Sequence, residues 1–114
     1  MVLEQGEKIH VMVRRRFEGD LRRHFIGEIL DISEFVARVE GYTFVLDAGT
    51  NRYTRRADKR VRVIGLADSG NIINVLPEKA DLENATYCQS QEGRLVVTDG
   101  TTFTLDINEF GVTH

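Results

Sequence analysis

Two groups of arginines are the residues of this chain whose types and spacing could recognise a ligand. Arg14-Arg15-Arg16 precedes the turn signal Glu18-Gly19-Asp20, and Arg22-Arg23 follows it. If the flanking segments pair as a hairpin, these five arginines converge at one rim. A second group lies further along the chain and consists of Arg52, Arg55 and Arg56, followed by Lys59 and Arg60. Guanidinium groups bind phosphate through paired hydrogen bonds, so both groups predict a surface for an anionic partner such as RNA.

Aromatic residues are interleaved with these arginines, and they allow two interpretations. Phe17, Phe25 and Tyr53 could stack on bases of a single strand. Alternatively, the aromatic residues belong to the core and nearby carboxylates such as Asp20 and Asp58 neutralise the arginines. For Phe25 we favour the core, because strand aromatics contribute most of a small core.

The residues that could support catalysis or bind a metal are few and scattered. Cys88 and His24 are present without a local signature that joins a nucleophile to a base, and a lone strand cysteine is typically a small buried residue. His10, His24 and His114 are far apart in the chain. His10 and His24 could meet across neighbouring strands, but two ligands make a poor metal site, and we expect ordinary surface histidines. The chain is therefore predicted to be no enzyme, with no metal and no cofactor.

The carboxylates offer one candidate acid–base pair in the middle of the chain. Glu28 and Asp31 lie three residues apart in a segment with strand character. An odd separation along a regular strand places two side chains on opposite faces, so these two carboxylates are predicted not to meet.

Composition indicates one soluble domain of ordinary type. The chain has 114 residues, of which 41% are hydrophobic and 29% charged, and its net charge is −3. Residues 14–62 nevertheless hold 12 Lys/Arg against 8 Asp/Glu, a balance of +4 that could attract an anion. The sequence contains no apolar run long enough for a membrane helix and no secretory signal in its first residues. A single cysteine fits a reducing environment, so we expect a cytoplasmic protein without a membrane partner.

Alternation of apolar and polar residues predicts an all-β protein. Strands are expected over 9–16, over two or three bent segments of 22–46, over 60–66 and over 72–76, with a charged connection at 52–59. One helical turn is expected within 77–84, and hairpins over 84–110, where Asp99-Gly100 is a strong turn signal. Gly27 and Gly41 interrupt the central run and indicate a bulge, a bend or a close backbone approach. The predicted core consists of Val11, Phe25, Ile29, Val39, Phe44, Val61, Val63, Ile72, Leu95 and Phe103.

Residues 9–77 resemble the Sm/LSm family, whose fold is a small, strongly bent antiparallel β-barrel. Gly27, Ile29 and Ile32 fit the frame of the family's first motif, and Ser69-Gly70-Asn71-Ile72-Ile73 occupies the place of its second. The contact residues differ, because Ser33 stands where the family has an RNA-binding Asp, Ala37 near its Asn and Ser69 in place of its Arg. The resemblance implies an Sm-like barrel, here with extra C-terminal hairpins, that assembles through its edge strands. It does not carry over the family's uridine pocket.

A second resemblance is to the PilZ domain, a small barrel that binds a cyclic dinucleotide through an Arg-x-x-x-Arg motif. Arg52/Arg56 and Arg56/Arg60 have this spacing, whereas the family's Asp/Asn-x-Ser-x-x-Gly element is missing. Together these observations predict a non-catalytic binding or assembly module that forms a homo-oligomer, with a closed ring as one form, and that binds RNA or another anion. The alternatives are a structural or protein-interaction subunit, whose arginines pair with its own carboxylates, and a PilZ-like cyclic-dinucleotide-binding barrel.

Overall fold

The computed structural model describes residues 2–15, 17, 19–47, 49–50, 52–67 and 70–107. Within these residues the chain is all-β and its sheets are antiparallel, as the alternation predicts. The chain divides into two compact units, Met1–Glu78 and Lys79–His114. Predictions that fall on Arg16, Glu18, Asp68, Ser69, residues 108–110 and His114 lie outside the described residues.

The first unit contains a six-stranded sheet. Its strands are β1 (Lys8–Val13), β2 (Arg23–Ile32), β3 (Val36–Asp47), β4 (Arg52–Arg55), β5 (Arg60–Gly65) and β6 (Ile72–Val75). The predicted charged connection at 52–59 is wrong in its first half, because β4 pairs with the end of β3 in spite of its charges. An exposed edge strand needs only backbone partners, so charged side chains can point into water.

The strand order is β4-β3-β2-β1-β6. β5 pairs with the first half of β3, and β4 pairs with the last residues of β3 on the same edge. A second path of five paired strands is therefore β5-β3-β2-β1-β6. Among the described residues no ladder joins β5 to β6, so no closed barrel is found.

Gly27 and Gly41 are direct partners across β2 and β3. An ideal Cβ built on Gly41 would lie 1.9 Å from the carbonyl oxygen of Ile26 and 2.5 Å from the Cα of Gly27. The close backbone approach indicated by the sequence is confirmed, since no side chain can be accommodated where the two strands cross.

A β-bulge in β2 changes one prediction about carboxylates. The register pairs Ile29 with Val39 and Asp31 with Arg38, so Leu30 is the extra residue. Because Glu28 pairs with Glu40, the partners of Glu28 and Asp31 are two residues apart in β3. The two carboxylates therefore lie on the same face of the sheet, and the predicted opposite orientation is wrong.

The core of the first unit lies on one face of this sheet. It consists of Ile9, Val11, Phe25, Ile29, Ala37, Val39 and Ile64. Phe44 and Ile26 lie on the other face and are also buried. The predicted core positions Val11, Phe25, Ile29, Val39 and Phe44 are thus confirmed.

Three predicted core residues are exposed, and the register explains why. The exposed fractions of Val61, Val63 and Ile72 are 51%, 64% and 43%. β5 pairs Ile64 with Ala37, so Ile64 reaches the core while Val61 and Val63, of opposite parity, point away from it. In β6 the residue on the core face is Ile73, which pairs with Val11.

The second unit begins with the 3-10 turn Leu82–Asn84 and contains a meander of β7 (Thr86–Gln89), β8 (Leu95–Thr98) and β9 (Thr104–Asp106). The predicted hairpins and the single helical turn are present. Leu95 and Phe103 are partly buried, whereas Val96 and Val97 are buried. The buried carboxylate of Asp99 organises the connection between β8 and β9. It accepts hydrogen bonds from the backbone N–H groups of Asp81, Thr101, Thr102 and Phe103 and from the Thr102 hydroxyl.

Candidate anion-binding site

The end of β1 and the start of β2 bring four of the predicted arginines together. Val13, the last residue of β1, pairs with Arg23, the first residue of β2. Arg14 and Arg15 therefore leave one strand where Arg22 and Arg23 enter its neighbour, and all four side chains are exposed. We call Arg14, Arg15, Arg22 and Arg23 the arginine rim. The fifth predicted member, Arg16, lies outside the described residues.

Arg14 is held against the connection between β5 and β6. Its backbone N–H donates to Oδ1 of Asn71 over 3.1 Å. Its side chain covers Gly70, where an added Cβ would lie 2.2 Å from Arg14 Cδ. Gly70 has a φ of +74°, a conformation that favours glycine, so this position both permits the turn and leaves room for the arginine.

Arg15 and Arg22 lie close enough to Tyr53 to affect its ionisation. Burial raises the pKa of the Tyr53 phenol, and the positive charges of Arg22 and Arg15 act against this rise. The Tyr53 ring stacks on the imidazole of His24, with centroids 4.4 Å apart and planes inclined by 25°. Tyr53 therefore has one ring face occupied within the protein, whereas Phe17 is 74% exposed.

The second predicted group of arginines is divided between different surroundings. The Arg55 guanidinium lies 4.5 Å from the centre of the Tyr42 ring, a cation–π contact. Arg52 is exposed at the start of β4, opposite Asp47. Arg56 follows β4, and its backbone N–H donates to the carbonyl of Thr43 over 2.8 Å. The structure thus separates Arg52, Arg55 and Arg56, which the sequence placed in one group.

Arg56 lines a cleft in the first unit that also receives arginines from two strands. The volume of this cleft is about 850 Å³. Four arginines line it, and we call it the arginine cleft: Arg23, Arg56, Arg60 and Arg62. Its other lining residues include Val13, Leu21, Phe25, Thr43, Val45, Asp58, Ile64 and Asn71.

Strand register explains how these residues meet. Arg60 and Arg62 are alternate residues of β5 and share a face with its core residue Ile64. Arg23 and Phe25 are alternate residues of β2, and they pair with Val45 and Thr43 of β3. The sequence does not single out Arg62, because the alternation of Val61 and Val63 predicts that these two residues lie in the core. The available signal was the equally regular alternation of Arg60, Arg62 and Ile64.

Thr43, one of the residues that line the arginine cleft, carries an unsatisfied polar atom. Its Oγ1 is buried and has no hydrogen-bond partner among the described residues. A buried hydroxyl without a partner costs free energy, on the order of 1–3 kcal/mol.

Two buried histidines form a hydrogen-bonded pair on the opposite face of the sheet. His10 and His24 are 0% and 6% exposed, and His10 Nε2 lies 3.2 Å from His24 Nδ1. The Nδ2 amide of Asn74 lies 3.3 Å from His10 Nδ1. An amide N–H can only donate, so His10 accepts at Nδ1 and donates from Nε2 to His24. The expectation of ordinary surface histidines is wrong, although the predicted meeting across neighbouring strands is correct.

Both histidines are held in the neutral form. Burial and, to a smaller extent, the nearby His24 lower the pKa of His10 to about 3. Burial also lowers the pKa of His24 to about 4, with a contribution from the positive charge of Arg22. The pair is thus uncharged over the usual range of pH, which suits a hydrogen-bonded structural element.

Other chemistry considered from the sequence finds little support in the described part of the chain. Cys88 is an exposed free thiol, so its expected burial is wrong. No group of three or more His, Cys, Asp or Glu residues that could hold a metal ion occurs in residues 2–107 where they are described. Within the same residues no helix is long and apolar enough to cross a membrane.

Comparison with known proteins adds no assignment. The chain matches no family model, no curated protein and no solved structure. The arginine rim, the arginine cleft and the fold that positions them are therefore the features that bear on its function.

Proposed function

We propose that this chain is a non-catalytic binding module whose arginine rim receives an anionic partner, with single-stranded RNA as the leading candidate. The observation that carries the proposal is the pairing of Val13 with Arg23, which gathers Arg14, Arg15, Arg22 and Arg23 at one end of two adjacent strands. Four exposed guanidinium groups at one end of a sheet form a local positive field for phosphates.

One aromatic side chain adds to this proposal. Phe17 lies in the connection between the two strands of the rim and is 74% exposed. Within this connection the Asp20 N–H donates to the Phe17 carbonyl over 3.0 Å. An exposed ring beside guanidinium groups is the combination that binds single strands with little sequence preference, because every base has a face that can stack.

The fold and assembly that we propose are an Sm-like bent barrel that forms a homo-oligomer. Support comes from the path β5-β3-β2-β1-β6 and from the glycine pair that lets β2 and β3 bend closely together. β5 and β6 end this path, each with an edge that no described ladder uses. Unpaired edges can pair with another copy, and repeated heterologous pairing can close a ring. A cytoplasmic location is part of the proposal, because Cys88 is a single free thiol.

A cyclic dinucleotide is the second candidate partner. It is favoured by one observation, namely that Arg56 and Arg60, which have Arg-x-x-x-Arg spacing, line the same cleft. The alternative of a structural or protein-interaction subunit is favoured by the ion pair between Arg60 and Asp58, whose N···O distance is 3.6 Å. Both side chains of that pair are more than half exposed, so the pair contributes little.

The deciding experiment measures binding of a fluorescently labelled, unstructured RNA oligonucleotide as a function of salt concentration. Each phosphate contact on a single strand contributes about −0.7 to the slope of log affinity against log salt. We expect the combined variant Arg14→Ala, Arg15→Ala and Arg22→Ala to bind more weakly and to have a shallower slope. Arg23 is left intact, because it also lines the arginine cleft.

The matched control is Arg38→Ala, which removes an exposed arginine of β3 that belongs neither to the rim nor to the cleft. We expect it to retain both the affinity and the slope. Absence of RNA binding at low salt, or equal loss in the control, would contradict the proposal and leave the structural-subunit alternative. A parallel titration with cyclic di-GMP, using Arg56→Ala as the probe, tests the second candidate.

A further inference from the structure

We propose that the arginine cleft is a second, separate binding site, for a nucleotide-sized small molecule that carries clustered phosphates, such as a nucleoside diphosphate. The proposal goes beyond RNA binding at the rim, because Arg23 is the single residue that the two surfaces share. Arg56, Arg60 and Arg62 line the cleft and are not part of the rim.

The charge of the cleft fits a compact multiply charged anion. Four guanidinium groups and the Asp58 carboxylate line it, which leaves a net charge of +3. Asp58 offsets part of the positive charge of Arg60, through an exposed ion pair that water screens. A terminal phosphate has its second pKa near 6, so a nucleoside diphosphate carries about three negative charges at pH 7.

The four guanidinium groups approach the cleft from three different elements. Arg23 starts β2, Arg60 and Arg62 alternate along β5, and Arg56 lies between β4 and β5. The backbone hydrogen bond from Arg56 N–H to the Thr43 carbonyl fixes the position of that connection over β3. Side chains that converge from separate, hydrogen-bonded elements can surround one group with paired donors, the geometry in which arginine recognises phosphate.

The remaining lining suits the uncharged part of a nucleotide. Val13, Phe25, Val45 and Ile64 provide apolar surface. The cleft volume of about 850 Å³ falls within the usual range for small-molecule sites, roughly 300–1,000 Å³. A long nucleic acid strand would not use this concave, partly apolar lining, whereas a base and sugar would.

The test is isothermal titration calorimetry of the full chain with GDP, ADP, inorganic diphosphate and cyclic di-GMP. We expect GDP or ADP to bind, inorganic diphosphate to bind more weakly because it leaves the apolar lining unused, and cyclic di-GMP to bind more weakly than either nucleotide. Arg62→Ala and Arg56→Ala should each weaken nucleotide binding by about 10- to 100-fold, as expected for loss of charge-assisted hydrogen bonds. Arg62→Lys should weaken it less, since the charge remains and the planar fork is lost.

Two control variants separate this site from the rim. Arg38→Ala and the combined variant Arg14→Ala, Arg15→Ala and Arg22→Ala should bind the nucleotides as the unmodified chain does. Nucleotide affinity that is absent, that is unchanged in Arg56→Ala and Arg62→Ala, or that is matched by inorganic diphosphate or cyclic di-GMP would overturn the inference. RNA binding without nucleotide binding refutes this site and leaves the rim proposal intact, whereas the reverse result refutes the rim alone.

Discussion

His10 donates a hydrogen bond from Nε2 to Nδ1 of His24, across a distance of 3.2 Å between two adjacent strands. The donor and acceptor roles follow from Asn74, whose amide N–H donates to Nδ1 of His10 and leaves Nε2 as the donor of that ring. This arrangement requires both rings to be neutral, because a protonated His24 would have no lone pair at Nδ1 to accept with. The pair therefore links the stability of the first unit to pH.

We expect the free energy of unfolding to decrease as pH falls below about 6.5. In the folded chain burial lowers the pKa of His24 to about 4 and that of His10 to about 3, whereas unfolded histidines titrate near 6.5. The stabilisation is fully present above pH 6.5. It is lost as the pH falls from 6.5 towards the folded pKa values, because the unfolded chain binds more protons in this range. Each histidine contributes a slope of up to about 1.4 kcal/mol per pH unit. Urea denaturation at several pH values between 6.5 and 5 measures the combined slope.

The variant His24→Phe isolates this contribution. It keeps a ring that can stack on Tyr53 and removes one titrating group, so the slope between pH 6.5 and 5 should become shallower. The slope is the readout, because the substitution also changes packing at every pH. An unchanged slope would show that His24 is not held neutral in the folded protein.

A side chain at Gly41 should destabilise the first unit severely. The Cβ of Gly41→Ala would collide with the backbone of Ile26 and Gly27, which cannot move without opening the β2–β3 ladder. We expect a loss of about 3 kcal/mol or more in the free energy of unfolding, at the upper end for overpacking. Gly19→Ala is the control, since an added Cβ there meets nothing within 4 Å. Thermal denaturation of the two variants should therefore differ widely.

Arg55 should contribute to stability through Tyr42. Its guanidinium lies over the Tyr42 ring at 4.5 Å, so Arg55→Ala removes a cation–π contact worth about 0.5–1 kcal/mol at an exposed site. Tyr42→Phe retains a ring face and should cost less at this contact. Chemical denaturation measures both. If Arg55→Ala leaves stability unchanged but weakens RNA binding, Arg55 is a ligand contact, as the sequence suggested.

Asp99 should be the carboxylate on which the second unit depends most. Its backbone and side-chain hydrogen bonds hold the pKa of Asp99 far below its usual range, so the unit is stabilised above pH 4 and loses this stabilisation as pH falls below it. Asp99→Ala should increase hydrogen exchange throughout residues 80–107. Asp106→Ala, which removes the partner of Arg94 on the surface, is the matched control and should have a smaller effect.

Elements with clean alternation and clear turn signals were predictable from sequence. Residues near β1, β2, β3 and β6 show period two, and the Asp99-Gly100 signal correctly separates the last two strands. The glycines at 27 and 41 could be recognised because nothing else in a strand indicates close approach so directly. These features are local, so a single chain segment contains the information that specifies them.

Features that depend on register were not predictable. In β5 either face could be the core face from the sequence alone, since Val61 and Val63 lie on one face and Arg62 and Ile64 on the other. Pairing of Ile64 with Ala37 decides between them, and this pairing joins residues far apart in the chain. The arginine cleft could not be predicted for the same reason, because its arginines come together through pairing between distant parts of the chain. The Leu30 bulge likewise escaped notice, because a bulge changes side-chain parity without a glycine to mark it.

β3 carries two partners on one edge and a third on the other, because β5 and β4 follow each other along it while β2 covers its opposite side. Its backbone amides can open only when most of the first unit opens, so they should be the slowest to exchange with deuterium. Among the described residues, β4 forms a backbone ladder with β3 only, so this ladder can open without opening the rest of the sheet. The strand pairing thus predicts the order in which the unit unfolds. β4 separates early, and the centre of β3 loses its pairing only when the rest of the sheet unfolds.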